Sequence, residues 1–467
     1  MTKRQERIVF ILMTVNAMLF GVVFLVLGGN YRLAADDLHY LVKTQELGIW
    51  DAMLFYYENW NPRWSATLVT NLCVRTAHAS GSALWFHFAT YMLGLAAISS
   101  MVFAMAKGLS LRFSKAQLFI ISAYLLAALF YCSFAKNDTW FWMTVVPMYL
   151  WACFVAVLAG SLMLRKRLPA IRYLLIALGF VYVGGASESA AICSLITLFF
   201  LGFITHGRTL TVPFDRTALH VATIACFGGF AICLLGKGIH IRHDHLPKIP
   251  LTDRLLVGFW NYIRFNFWQI PKLAPLVILM VAPFAFFGRK QLMYQLMSVR
   301  EVLWTNRKLW AWADVIVILL GFSLAMVMGE MGPTRTWVPL TFVILTVAII
   351  IAYSLGTWIY ITSKGKLFHL VLICQLLLII FQFYTGSHQI STTSAYAKAV
   401  DARMELIALR MNSNEGQMRL SPLPDSGWLF SAEISSDTSH FTNRHLKLFF
   451  GNTETFVLND SLPSSTL

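Results

Sequence analysis

Ile8-Val-Phe-Ile-Leu-Met-Thr-Val-Asn-Ala-Met-Leu-Phe-Gly-Val-Val-Phe-Leu-Val-Leu-Gly28 carries no charge and follows Lys3, Arg4 and Arg7. About 20 apolar residues suffice for a helix to cross a bilayer. A basic lead before an apolar run also describes a secretory signal, but this run exceeds the usual core of about 7–15 residues, and no small-residue cleavage pattern follows closely. It reads as a retained membrane anchor.

Comparable runs recur at 83–106, 116–135, 147–164, 173–186, 189–205, 218–236, 273–287, 310–328, 338–360 and 367–384. About eleven spans follow, at about 20 residues each, and with them an all-α polytopic membrane protein. Composition agrees: 58% of the 467 residues are hydrophobic and 13% are charged, where a soluble domain carries about 25% charge. Lys107, Arg112, Lys115, Arg165, Lys166, Arg167, Arg172, Arg208, Arg216, Arg289, Lys290, Arg300, Arg307, Lys308, Lys364 and Lys366 fall in alternate inter-span segments, with Asp215 and Glu301 the acids among them. The positive-inside rule therefore sets the N-terminus in the cytoplasm and the C-terminus outside. The same bias explains the net charge of +15 without nucleic acid as a partner. Cys73, Cys132, Cys153, Cys193, Cys226, Cys233 and Cys374 lie mostly within spans and form no Cys-x-x-Cys pair, so they read as small packing residues.

Residues 1–384 form the membrane part in this reading. Two long segments fall on its outer face, 30–80 and 237–272. In the first, Ile49, Trp50, Met53, Leu54 and Tyr57 keep helical spacing, as in a helix lying at the interface. The second contains His240-Ile-Arg-His-Asp-His245, whose spacing matches no zinc motif. Arg242, His243 and His245 read instead as a lipid-headgroup or phosphate patch. From Thr385 onward Ser, Thr, Asn and Asp replace the aliphatic runs. Residues 385–467 are expected to form a small extracytoplasmic α+β domain, helical over 398–411, with short strands at Trp428–Phe430 and Leu446–Phe450.

Asp36 and Asp37 emerge just past the first span. Adjacent carboxylates repel each other and lose solvation near hydrocarbon, although Asp-Asp-Leu-His also suits a plain helix start. Trp60-Asn-Pro-Arg63, Lys136-Asn-Asp-Thr-Trp140 with Tyr149, and Gly332-Pro-Thr-Arg335 fall in outer-face segments too. Glu188 stands between two short spans in Gly-Gly-Ala-Ser-Glu-Ser, where a carboxylate either serves a site or ties helices together.

Taken together, these segments resemble the GT-C class of membrane glycosyltransferases. They are most similar to the bacterial polyprenyl-phosphate-sugar-dependent group that includes the O-antigen glucosyltransferases. The resemblance rests on Asp36-Asp37 with Tyr40, Trp60-Asn-x-Arg63, 136–149, Glu188, Arg335 and Asn443–Gly451, and spans nearly the whole chain. Pro62 stands where the familiar pattern has Gly.

The resemblance implies a GT-C-like fold in a bacterial inner membrane. It also implies a polyprenyl-phosphate (undecaprenyl) sugar donor and a glycan or lipid-linked acceptor, alongside membrane lipids. Asp36 and Asp37 would be catalytic, with Asp36 the base and Asp37 its partner. Trp60, Arg63, Asn137, Asp138, Trp140, Tyr149, Glu188, Arg335, Arg242, His243 and His245 would bind substrate or phosphate. A divalent ion, Mg or Mn, would sit on Asp36 and Asp37 if the reaction uses one. The chemistry is consistent: the donor brings its own phosphate leaving group, so one base and nearby cations suffice, and displacement inverts the anomeric centre. The alternatives are a transporter or flippase of lipid-linked saccharides, and a polysaccharide polymerase or ligase.

Overall fold

α1 (Lys3–Asn30) buries Phe20 and Phe24 in an aromatic cluster with Tyr91, Phe130, Tyr131, Trp140 and Phe141. The structure, a computed structural model, describes residues 3–108, 113–164, 169–206, 215–244, 249–288, 307–328, 332–362, 366–410, 417–451 and 455–458. Helix dominates throughout. Among the described residues, seven helical stretches are long and apolar enough to cross a membrane: Lys3–Asn30, Leu84–Gly108, Arg216–Leu235, Leu251–Gly288, Arg307–Met326, Thr334–Gly356 and Leu367–Arg410. Shorter apolar helices cover Lys115–Tyr131, Pro147–Met163, Ala170–Ala186 and Glu188–Phe203.

The segment 30–80 is a helical cap rather than a loop. α2 (Asp36–Leu47) and α3 (Ile49–Asn59) meet at Gly48, whose φ of 87° lets the chain turn without a side-chain clash. α3 is helical where helical spacing was read, with Met53 buried and Trp50 and Leu54 exposed. α4 (Trp64–Ser80) escapes an apolar-periodicity search because its buried face mixes Ser65, Thr67, Thr70 and Asn71 with Ala66, Cys73, Val74 and Ala77.

α5 (Leu84–Gly108) and α6 (Lys115–Tyr131) return across α1. Two short π-helical turns, Asn137–Phe141 and Pro147–Trp151, lead into α7 (Ala152–Met163). α8 (Ala170–Ala186), α9 (Glu188–His206) and α10 (Arg216–Leu235) follow. α8 and α10 touch backbone to backbone. A Cβ on Gly184 would lie 2.2 Å from the Cys226 carbonyl oxygen, and one on Gly229 would lie 2.4 Å from that of Val181. Small residues permit such an approach where no hydrophobic force drives helices together.

Residues 237–272, expected as an outer loop, are largely helical. α11 (Lys237–Asp244) precedes α12 (Leu251–Arg264), which runs through a π turn into α13 (Ile270–Gly288). Leu251, Leu255, Leu256, Phe259 and Trp260 recur at helical spacing and stay exposed, while Gly258 and Asn261 are buried. α14 (Arg307–Met328) packs on α12, and α15 (Val338–Thr362) on α13.

α16 (Leu367–Arg410) has 44 residues. At about 1.5 Å per residue this is some 66 Å, roughly twice the hydrocarbon thickness of a bilayer. The change of composition at Thr385 therefore ends neither the helix nor its packing: Thr393, Tyr396 and Val400 remain buried. Asn16 donates to Gln375 at 3.1 Å, and Gln375 donates to the Tyr124 hydroxyl at 2.9 Å, tying α1, α16 and α6 together.

After α16 the strands differ from expectation. β1 (Gln417–Leu420) pairs in parallel with β2 (Thr455–Leu458). Trp428–Phe430 forms a turn, and Leu446–Phe450 belongs to α17 (Phe441–Phe450). The apolar run at 446–450 is one face of an amphipathic helix, with Leu446 packed among Leu38, Ile407, Met418 and Phe456. Asn443 locks it, accepting from the Ser435 N–H at 2.7 Å and donating to the carbonyls of Ser435 and Phe456.

The backbone contact between α8 and α10 makes a sharp test. Gly229→Val should lower the melting temperature in detergent by several degrees, the scale of an overpacking cost of about 1–3 kcal/mol. Gly228→Ala, where a Cβ meets nothing within 4 Å, should melt at or above wild type.

Candidate active site

The turn from α1 to α2 is the strained point of the backbone. Among the described residues Ala35 alone has a positive φ without being glycine, at 49° with ψ −115°. Such conformations cost about 1–3 kcal/mol and persist where surrounding contacts over-determine them.

Asp37 supplies those contacts. It is fully buried, and its Oδ2 accepts from the Tyr31 hydroxyl and from the Ala34 N–H at 3.3 Å. Its Oδ1 accepts from the Thr144 N–H at 3.1 Å, and the Met143 N–H donates to the Tyr31 oxygen at 3.2 Å. One carboxylate thus binds the turn, the end of α1 and the 143–144 segment. Burial pushes its pKa up to about 7; the donors from Tyr31, Ala34 and Thr144 resist that rise, and the Asp36 charge adds to it.

Asp36, one residue earlier, faces the other way. Its side chain keeps 42% exposure, and its Oδ1 lies 3.7 Å from Nδ1 of His445 in α17. The surrounding protein still penalises its charge and raises its pKa, while His445 and Arg335 pull it back. Asp36 is the accessible carboxylate of the pair.

The other expected residues fall into several groups. Arg335 sits in the 3-10 turn Thr334–Trp337, its guanidinium 4.9 Å from the Trp142 ring centre and 3.5 Å from the Asp138 carboxylate. Trp142 itself stacks flat on Phe430 at 3.7 Å. Arg63 is nearly buried and pairs with Glu188: Nε and Nη2 approach one carboxylate oxygen at 2.8 and 2.7 Å. Its guanidinium also lies 5.5 Å from the Tyr149 ring. Glu188 therefore both ties helices and neutralises Arg63. Asn61 donates to the Tyr40 hydroxyl at 3.2 Å, fastening the Trp60–Arg63 segment to α2.

Trp60 is 49% exposed at the end of α3, and Asn137 is also exposed. Trp140 is wholly enclosed, its indole N–H donating to Ser133 at 2.8 Å. It belongs to the core, and no sugar ring can stack on it as placed. Arg242 and His243 fall in α11, whereas His245 lies outside the described residues.

Tyr31, His39, Thr144 and His445 were not singled out by sequence. Tyr40, which belongs to the motif that carries the resemblance, stacks on Tyr56 at 4.1 Å, and the Tyr56 hydroxyl meets His39 Nδ1 at 2.8 Å. The signal available for His445 was its place inside the Asn443–Gly451 segment. An apolar hollow of about 730 Å³ lies along the last turns of α1 and the start of α5, lined by Leu25, Val26, Gly29, Leu84, Trp85 and Phe88.

The residues present do not fit a divalent ion on Asp36 and Asp37. Hard cations need carboxylate oxygens with free lone pairs converging on one point, and both Asp37 oxygens already accept from N–H or O–H donors. Among the described residues no cluster of three or more His, Cys, Asp or Glu could hold a metal. Comparison with known proteins found no matching family model, no similar curated protein and no similar solved structure.

Asp37 holds its proton more tightly in the folded state, near 7, than at its ordinary value of 3.8. Its contribution to stability is full below about pH 4 and is lost as pH rises towards about 7. The melting temperature of wild type minus that of Asp37→Asn should therefore shrink from pH 4.5 to 7.5. A difference that does not change with pH would contradict the raised value.

Proposed function

We propose that the protein transfers a sugar from a polyprenyl-phosphate carrier to a hydroxyl acceptor, a glycan or lipid-linked saccharide, at the outer face of a bacterial inner membrane. The resemblance of its motifs to GT-C glycosyltransferases supports this reading. So does one observation above the others: of two adjacent aspartates, Asp36 keeps an open carboxylate within the field of Arg335.

In this reading the seven long stretches and four short apolar helices make eleven crossings, with the N-terminus inside. α2, α3, α4 and the C-terminal segment then lie at the outer face. Asp36 takes the proton of the acceptor hydroxyl as its oxygen bonds to the anomeric carbon from the side opposite the phosphate. The bond from that carbon to the phosphate oxygen breaks, and the electron pair leaves with the phosphate. Attack from that side inverts the centre.

Arg335 is the cation suited to the departing phosphate, because its contact with Asp138 is loose at 3.5 Å. Arg63 is already committed to Glu188 at 2.7 Å. The apolar hollow beside α1 suits the first isoprene units of the carrier, and half-exposed Trp60 offers a sugar-stacking face. No metal step is needed, since the leaving group departs as a stable anion.

Membranes supplied with radiolabelled polyprenyl-phosphate hexose provide the test. Asp36→Asn should lower transfer at least about 100-fold, the usual contribution of a general base, while the protein still folds. Transfer at the wild-type rate would sink the mechanism. Labelled carrier that crosses the membrane with no sugar transferred would favour the transporter.

A further inference from the structure

The C-terminal segment reaches back to the acidic pair, and the side chain it presents there is His445. Asp36 and His39 stand three positions apart and so share one face of α2. The His445 ring stacks on that of His39, with centres 4.8 Å apart and planes 16° apart, and Phe441 meets it edge-on at 5.6 Å. These contacts fix the ring plane. Nδ1 is left buried and 3.7 Å from the Asp36 carboxylate, with no hydrogen bond of good geometry to it, while the Ala35 carbonyl also lies against the ring. A buried ring nitrogen without a well-aligned partner is costly, unless its partner changes during the reaction.

The placement is built in. Leu446, the next residue, packs in the same cluster as Leu38, two residues past Asp36, so the contact that docks α17 on α2 also delivers His445.

We propose that His445 is a positioning and relay residue: it orients the Asp36 carboxylate and receives from it the proton taken from the acceptor hydroxyl. This rests on the transferase reading above. The acceptor proton passes to Asp36 as the glycosidic bond forms, then to His445 Nδ1, leaving a carboxylate beside an imidazolium. The proton then returns through the open Asp36 carboxylate to water, which resets the pair. Burial lowers the affinity of His445 for a proton and raises that of Asp36. The two approach each other, as an easy exchange requires. The other charged and titratable groups around them are Asp37, His39, Tyr40, Lys43 and Glu46 on α2, Tyr56 on α3, Arg335, and Arg444 on α17.

The test compares wild type, Asp36→Asn, His445→Asn, His445→Gln and His445→Ala in full-length protein, assayed for transfer across pH 5–9. The His445 variants should lose at least tenfold in kcat with KM for the donor within about twofold. The acid limb of kcat should move to lower pH, because Asp36 alone is then left to bind the first proton of the pair. Added imidazole should restore part of the activity of His445→Ala. An unchanged kcat and pH profile in all three, with Asp36→Asn inactive, would overturn the relay and leave the transferase reading intact. A fall in kcat with an unmoved pH profile and no imidazole rescue would assign His445 to packing and likewise overturn it. Wild-type transfer by Asp36→Asn, or no transfer by wild type, would remove both.

Discussion

The carboxylate of Asp37 is the constraint on which the end of the helical assembly around α2 depends. Three donors converge on it, from Tyr31, Ala34 and Thr144, and it is fully buried. They hold a turn in which Ala35 takes a backbone conformation that a Cβ disfavours. Successive residues on a helix point about 100° apart, so fixing Asp37 inward turns Asp36 outward. The repulsion inherent in an Asp-Asp pair is relieved by giving the two carboxylates different surroundings, one dry and fully bonded, the other open.

That arrangement draws remote parts of the chain to one place. Tyr40 receives Asn61, which carries the Trp60–Arg63 segment. The 143–144 backbone, tied to Asp37, continues into Met148 and Tyr149, which flank Arg63. α16 carries the C-terminal segment past the end of α1, where Arg32 and Asp401 pair at 2.6 Å, and α17 then closes on α2. The C-terminal segment shares its apolar cluster with Leu38 of α2 and Ile407 of α16.

Much of this was legible in the sequence, for reasons that differ by element. The apolar runs were readable because hydrocarbon demands length and apolarity from every crossing, and Leu84–Gly108 or Arg216–Leu235 meets that demand without reference to a partner. The acidic pair was readable as an electrostatic anomaly. α4 was not, since its buried face interleaves Ser, Thr and Asn with small apolar residues. Segment 237–272 looked like a loop because its charges masked the spacing of Leu251, Leu255 and Phe259. Trp140 and Arg63 were read by residue type, yet their roles depend on Ser133 and Glu188, partners that periodicity cannot reveal. His445 lies more than 400 residues from Asp36, so only the fold could join them.

The asymmetry of the two aspartates is the centre of this account, and thiol labelling measures it directly. All seven native cysteines are buried, so background reaction should be low. Asp36→Cys and Asp37→Cys, each in the full chain, would be exposed to a membrane-impermeant maleimide in spheroplasts and again after denaturation. The account predicts that Cys at 36 reacts from the outside in the folded protein, whereas Cys at 37 reacts only once the protein is unfolded. Equal labelling of the two in the folded state, or labelling at 36 only from the cytoplasmic side, would contradict it.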